Sequence, residues 1–235
     1  MKLVHLYPRE MNIYGDTGNL IVLVRRLQWR HMPVEVVPVG VGDALPGDVD
    51  IVLGGGGQDA AQGAIGADFA GRGPQLRALA DDGVVMLAVC GAYQMLGHEF
   101  VTSAGVRIPG TGVLDISTRA RPKRIIGNNV VETEADGMLV GYENHSGLTE
   151  LGPGVTPLAT TRLGSGNNGR DHTEGAVRNN VIGTYLHGPV LAKSPRFADA
   201  LLRRALSRRG QDNDLEPLDD TLDELAAQIA SKRPR

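Results

Sequence analysis

The chain has one cysteine, and its setting invites chemistry. Val84-Val85-Met86-Leu87-Ala88-Val89 is an almost unbroken apolar run, and Cys90-Gly91-Ala92 follows directly before a helical pattern. A strand that turns sharply into a helix projects the residue at the bend from the carboxyl edge of a sheet. A thiol placed there lies at a helix N-terminus, whose unpaired N–H groups favour thiolate over thiol. Gly91 leaves room for a substrate carbonyl, and its N–H can bind the oxyanion formed when that carbonyl is attacked. Two other segments supply what a thiol nucleophile needs. Val181–Tyr185 is an apolar run that delivers His187 at its end, with Gly188 turning the chain away, so an imidazole reaches a sheet edge as a general base. Ile51–Leu53 runs into Gly54-Gly55-Gly56-Gly57, which places bare backbone N–H groups at the same edge.

Each feature taken singly has a plainer meaning. A lone cysteine after an apolar strand is usually a small buried hydrophobe. A glycine run can cradle phosphate, although GxGxxG spacing and a following Lys-Ser/Thr are both missing, so a second oxyanion donor is the preferred reading. Among the other histidines, His145 in Tyr142-Glu143-Asn144-His145-Ser146-Gly147 rivals His187 as the base. The run Arg119, Arg121, Lys123, Arg124 reads as a solvated face.

The elements that must position these groups follow from hydrophobic period. Leu3–Leu6, Val34–Val39, Ile51–Leu53 and Val84–Val89 read as strands. Leu20, Leu23, Val24 and Leu27 mark a helix behind Asp16, Thr17 and Asn19, which offer N-cap chemistry. Pro74 to about Ala80 reads as another helix. This order predicts an α/β fold with a mostly parallel central sheet flanked by helices. After about residue 100, short strands (Ile125–Glu134, Leu139–Tyr142, Leu158–Thr161, Ala176–Arg178, Val181–Tyr185) are expected to extend the same sheet in antiparallel or mixed fashion. A helix over about Pro195–Arg209 closes the domain, 1–209. Residues 210–235 form an acidic helical appendage carrying Asp212, Asp214, Glu216, Asp219, Asp220, Asp223 and Glu224.

Composition removes several classes. The chain has 235 residues, with Lys+Arg 24 against Asp+Glu 27 and a formal charge of −3, which argues against general nucleic-acid binding. One cysteine excludes an internal disulfide and a cysteine-based zinc site, and no metal site is expected. No apolar run is long enough for a membrane span and no export signal is visible, so a cytoplasmic protein is expected.

Cys90-Gly91-Ala92-Tyr93-Gln94, the glycine run and Tyr185-Leu186-His187-Gly188 together resemble a single class I, triad-type glutamine amidotransferase domain with a nucleophile elbow, in the CobB/CobQ-like branch that includes cobyric acid synthase. From residue 3 to about 205 a narrower likeness is to the GatD family, glutaminase subunits of lipid II isoglutaminyl synthase. Leu6-Tyr7-Pro8, Asn12–Asn19, Gly54–Gln58, Arg124–Asn128, Glu143–Gly147 and Thr184–Pro189 carry it. The resemblance implies hydrolysis of L-glutamine to glutamate and ammonia, with Cys90 as nucleophile and His187 as base. It implies an oxyanion hole from Gly91 with Gly55 or Gly56, glutamine recognition by Arg124, and a substrate contact from Gln94. A guanidinium fork suits the α-carboxylate of glutamine. No cofactor is expected in this chain. ATP and Mg belong on a MurT-like, Mur-ligase-family partner, which would use the ammonia to amidate the D-glutamate of lipid II to D-isoglutamine in peptidoglycan synthesis. No P-loop motif occurs here, in keeping with a subunit.

Two positions depart from the family pattern. Ala88 and Ala92 stand where many relatives have Gly. Pro189 occupies the place, two residues after the histidine, where class I enzymes usually carry the third triad member as Glu, and the resemblance implies that the partner supplies that carboxylate in trans. Two further functions stay open on the residues alone. One is a glutaminase for another amidation, such as a cobyrinate-type one. The other is a non-catalytic binding subunit in which Gly54–Gly57 holds an anion and Cys90 is packing.

Overall fold

The computed structural model describes residues 1–57 and 59–234, with backbone alone for 59–64. Gln58, the last residue of the glycine segment singled out above, lies outside the described residues. In chain order the first half comprises β1 (Lys2–Leu6), α1 (Thr17–Trp29), β2 (Glu35–Val39), β3 (Ile51–Gly54), α2 (Asp59–Gly71), α3 (Gly73–Asp81), β4 (Val85–Val89) and α4 (Gly91–Leu96). The second half comprises β5 (Glu99–Val101), β6 (Arg107–Pro109), β7 (Ile116–Thr133), β8 (Gly137–Leu151), β9 (Ala159–Leu163), β10 (Thr173–Glu174), β11 (Ala176–Arg178) and β12 (Val181–Thr184). A 3-10 turn (Val190–Lys193), α5 (Pro195–Arg208) and α6 (Thr221–Ser231) complete it.

One sheet has the order β11-β12-β4-β3-β1-β2, parallel throughout except for β11. Its central strands are apolar on both faces because helices cover both. Val4, Val52, Met86 and Ala88 pack toward α2 and α3, while Leu3, Ile51, Leu53, Val85 and Leu87 pack toward α1 and α5. Helix α2 carries no caps or clear period in its sequence, Asp59-Ala60-Ala61-Gln62-Gly63-Ala64-Ile65-Gly66-Ala67-Asp68-Phe69-Ala70-Gly71, and sequence reasoning passed over it.

The region after residue 100 corrects the expectation of one extended sheet. Only β11 and β12 join the parallel sheet. β5 to β10 form a second, mostly antiparallel sheet built on the β7–β8 hairpin, whose strands run 18 and 15 residues. The ladder runs from Ile116↔Leu151 to Thr133↔Gly137 but is broken between Ala120 and Ile125, where the chain bulges. Pro122 cannot donate to a ladder, so it fits the bulge.

The C-terminal stretch is tied to the body. Leu215 is buried. Arg30 Nε donates to the Glu216 carbonyl at 2.7 Å, and Arg26 donates to Asp220 at 2.6 Å. Arg26 and Arg30 also both grip the buried Asp199 on α5. Among the described residues no helix is long and apolar enough to cross a membrane.

Candidate active site

The site forms at the carboxyl edge of the parallel sheet, over three adjacent strands. β4 ends at Val89 and Cys90 begins the turn into α4, with φ +51° and ψ −101°. Such a backbone is strained for a residue with a side chain and persists only where its surroundings fix it. Here the Cys90 N–H donates to the Thr184 carbonyl at 2.8 Å, the Cys90 carbonyl accepts from Gln94 N at 2.9 Å, and Ala92 N donates to the Gly55 carbonyl at 3.2 Å. The bend is thus tied to β12 on one side and to the glycine run on the other.

His187 follows β12 by three residues. Its backbone pairs in both directions with Tyr142 of β8, at 2.9 and 3.0 Å. Its ring is fully buried, and Nδ1 lies 3.0 Å from both carboxylate oxygens of Asp16. A carboxylate only accepts, so Nδ1 carries a proton toward Asp16 and Nε2 is the nitrogen left to exchange one. Nε2 is buried with no hydrogen-bond partner among the described residues. Its ring closes on Cys90 across Gly56: a Cβ at that glycine would sit 2.7 Å from His187 Cε1, 3.1 Å from Asp16 Oδ2 and 3.4 Å from Cys90 Cβ. Only a glycine leaves thiol, imidazole and carboxylate this close. Burial pulls the His187 pKa down, but the charge of Cys90 and the bond to Asp16 outweigh it and push the value up to about 10.

Beside the expected Cys–His pair, this chain places a carboxylate of its own, Asp16, against His187. By sequence alone Asp16 reads as a helix cap. It stands at the N-cap position of α1 but makes no cap bond; the Asn12 side chain caps instead, accepting from Thr17 N at 2.9 Å. Asp16 is thereby free to face His187. Pro189 has a part in this. Its ring packs on Gly18, where any side chain would overlap it, and Leu191 N donates to Asn19 at 3.0 Å. The segment after His187 is therefore docked on the first turn of α1, which brings Asp16 in. The only signal in the sequence was that Asn12 could do the capping.

The oxyanion assignment is also narrowed. Gly56 N–H donates to Asp16 Oδ2 at 2.7 Å, so it serves the carboxylate and is not available to a substrate oxygen. Gly55 and Gly91 make no such bond to Asp16.

Arg124 lies at the rim, at the end of the β7 bulge. Its Nε donates to Asn144 Oδ1 at 2.8 Å and its Nη2 to the Asn144 carbonyl at 2.7 Å. Asn144 in turn donates to the Tyr14 hydroxyl at 2.6 Å, and the Tyr14 ring meets His187 edge-on with centroids 4.9 Å apart. Tyr14 and Asn144 had not been singled out. Gln94 is buried in the floor, its amide donating to the Tyr185 hydroxyl at 3.1 Å. His145 stacks on Tyr185 with centroids 3.6 Å apart, and its Nδ1 is 2.7 Å from the Gly147 carbonyl. Burial, opposed by that bond and reinforced by the charges of His187, Arg124 and Arg121, holds its pKa down at about 3. It stays neutral, and the geometry of a base belongs to His187.

A cysteine at a strand–helix elbow, backed by a buried His–Asp pair from neighbouring elements, is the arrangement that triad-type cysteine hydrolases use on α/β scaffolds. The chain belongs to the CobB/CobQ-like glutamine amidotransferase domain family, which it matches over residues 2–195. It is 34% identical over 234 residues to the lipid II isoglutaminyl synthase (glutamine-hydrolyzing) subunit GatD of Staphylococcus aureus, covering 99% of this chain and 96% of that protein. It is 36% identical to the corresponding GatD subunit of Streptococcus pneumoniae, covering 97% of this chain and 89% of that protein. The solved structure of PurLQS from Thermotoga maritima aligns with a TM-score of 0.59 at 17% identity, over 88% of this chain and 97% of that one, and shares the fold.

Proposed function

We propose that this chain is the glutamine-hydrolysing subunit of a lipid II isoglutaminyl synthase. It releases ammonia from L-glutamine and passes it to a MurT-like, Mur-ligase-family subunit that binds ATP and Mg and amidates the D-glutamate of lipid II. The observation that carries the chemistry is the Asp16–His187–Cys90 alignment around Gly56. The acceptor and the partner rest on the two GatD relatives, whose likeness spans nearly the whole chain.

The steps follow from the geometry. Cys90 Sγ attacks the side-chain amide carbon of glutamine, and its oxygen takes up negative charge facing the Gly91 N–H and the Gly55 N–H. His187, held in its tautomer by Asp16, protonates the leaving nitrogen from Nε2, so the C–N bond breaks and ammonia departs. The γ-glutamyl thioester left on Cys90 is attacked by water, whose proton goes to Nε2, and glutamate leaves as the thiolate re-forms. Arg124 holds the rim and keeps Nη1 for the α-carboxylate of the substrate, while Gln94 supports the floor.

The experiment is ammonia and glutamate release from glutamine by the purified chain, alone and with its co-expressed partner. Turnover that rises with the partner and is lost in Cys90→Ala supports the reading. Turnover that persists in Cys90→Ala overturns it.

A further inference from the structure

The strand that delivers the base ends against a buried carboxylate that the reaction steps do not touch. β12 pairs with β4 as far as Thr184↔Val89, and there β4 turns away into the elbow. On its other side β12 meets β11 only as far as Gly183↔Ala176. Just before Ala176, Gly175 turns the chain at φ +63°, and Glu174 pairs with Ala159 in the second sheet. The end of β12 thus lies between two neighbours that have both departed, and its buried N–H groups need another acceptor. Glu174 supplies it. Its Oε1 accepts from Tyr185 N–H at 2.6 Å, and both its oxygens accept from the Thr184 hydroxyl at 3.0 Å. The Thr184 hydroxyl, held in that direction, accepts from Leu186 N–H at 3.1 Å. The Thr184 carbonyl accepts from Cys90 N–H, and Leu186 leads directly into His187. One carboxylate therefore grips the short segment on which both thiol and imidazole depend.

The grip is chemically specific. Glu174 is fully buried, and the donors it meets are a hydroxyl and backbone N–H groups, with no cation among the described residues bonded to it. An apolar side chain would bury at less cost, but it would leave Tyr185 N–H and the Thr184 hydroxyl unmet. Burial, with the charge of Glu143 added, pushes the Glu174 pKa up to about 7 against the bonds from Tyr185, Thr184 and Gly175. The titratable groups around it are Glu143 on β8, Tyr93 on α4 and Tyr185; Asp171, in the loop before β10, acts with Glu174 on Tyr93.

We infer that Glu174 is a positioning residue for glutamine hydrolysis: its carboxylate holds the end of β12 and thereby fixes the Cys90 elbow and the His187 ring relative to each other. This rests on the glutaminase reading above. The ionised form is the one that does so. A protonated or amide side chain presents a donor on one side, so the Thr184 hydroxyl can no longer give to both oxygens.

The test is steady-state hydrolysis of L-glutamine by the full chain with its co-expressed partner, followed from acid to alkaline pH. Glu174→Gln keeps the volume and mimics the neutral form. The ratio of wild-type to Glu174→Gln kcat should be near one at about pH 5.5. It should rise through about pH 7 to about tenfold at about pH 8.5, with KM changed less than about twofold. Titrations common to both proteins cancel in that ratio. Thr184→Val removes the hydroxyl and keeps the carboxylate, and its ratio to wild type should rise over the same range, so the test stands even if Glu174→Gln does not fold. The double variant should be no worse than the poorer single one, because both changes break the same contact. A ratio that stays flat across pH, a loss confined to KM, or additive losses in the double variant overturns the inference while the glutaminase reading stands. A wild-type complex that does not hydrolyse glutamine at any pH overturns both.

Discussion

The nucleophile elbow and the β7–β8 rim border the same site but are held by different means. At the elbow, Cys90 and His187 hang from backbone hydrogen bonds between adjacent elements: Cys90 N to Thr184, Ala92 N to Gly55, His187 to Tyr142. At the rim, Arg124, in the stretch of β7 that has left its ladder, is joined through side chains to Asn144 of β8, and Asn144 to Tyr14 in the loop before α1. A reacting atom must be placed to within a fraction of an ångström, and a backbone lattice in a packed sheet does that. A charge that recognises a carboxylate tolerates more play, and the long side chains of an irregular segment suffice. Damage at the elbow should therefore remove chemistry, and damage at the rim should weaken substrate use.

The largest effect is expected at the elbow. Cys90→Ala or His187→Ala should each lower glutamine hydrolysis by about four orders of magnitude or more, and the double variant should be little worse because the two act as a unit. Activity in Cys90→Ala above that level would separate the thiol from the chemistry. Next comes Asp16→Asn, expected to cost on the order of 10³-fold in kcat with KM nearly kept, since it removes the group that sets the His187 tautomer. A change confined to KM would place Asp16 with the rim instead.

At the rim, Arg124→Ala should raise KM by about tenfold while kcat falls less, because loosening Asn144 and Tyr14 disturbs access and orientation more than the triad. Equal loss in kcat and kcat/KM would erase the distinction between the two regions.

The raised pKa of His187 gives a smaller, slower signature. The folded state holds a proton that the unfolded chain releases near the ordinary imidazole value of 6.5, and it keeps that proton to about 10. The stabilisation is therefore complete below about pH 6.5 and is lost as pH rises toward 10. Denaturant unfolding at pH 6, 8 and 10 should show this decline, and it should be shallower in Cys90→Ala, where a charge that raises the His187 pKa is gone. A decline identical in the variant would show that the imidazole is not coupled to the thiol.

The same contrast governs what the sequence disclosed. Apolar runs ending in Cys90 and before His187 are visible because parallel strands buried on both faces cannot disguise their composition, and a glycine run at a strand end is equally plain. Asp16 was hidden because its local setting, an acidic residue before a helix, matches an ordinary cap; only the three-dimensional position of Asn12 releases it. The second sheet was hidden because sheet membership depends on partners far along the chain, and nothing local tells β7 to pair with β8 and β9 in a sheet of their own. The bulge at 121–124 read as a solvated run of charge, and α2 lacked the period that would have marked it. The sequence leaves Gly55 and Gly56 equivalent as oxyanion donors because both follow a strand at the right edge; only the structure shows that the Gly56 N–H is taken by a carboxylate forty residues away.

The central claim is that the carboxylate that orients the catalytic imidazole belongs to this chain. It is tested most directly by glutamate release from L-glutamine by wild type and Asp16→Asn, each measured alone and in saturating complex with the partner subunit. The account predicts measurable hydrolysis by the wild-type chain alone, a loss on the order of 10³-fold in Asp16→Asn, and no recovery of that loss when the partner is added. A wild-type chain inert by itself, with Asp16→Asn fully active once the partner is bound, would contradict it and move the third triad member to the other subunit.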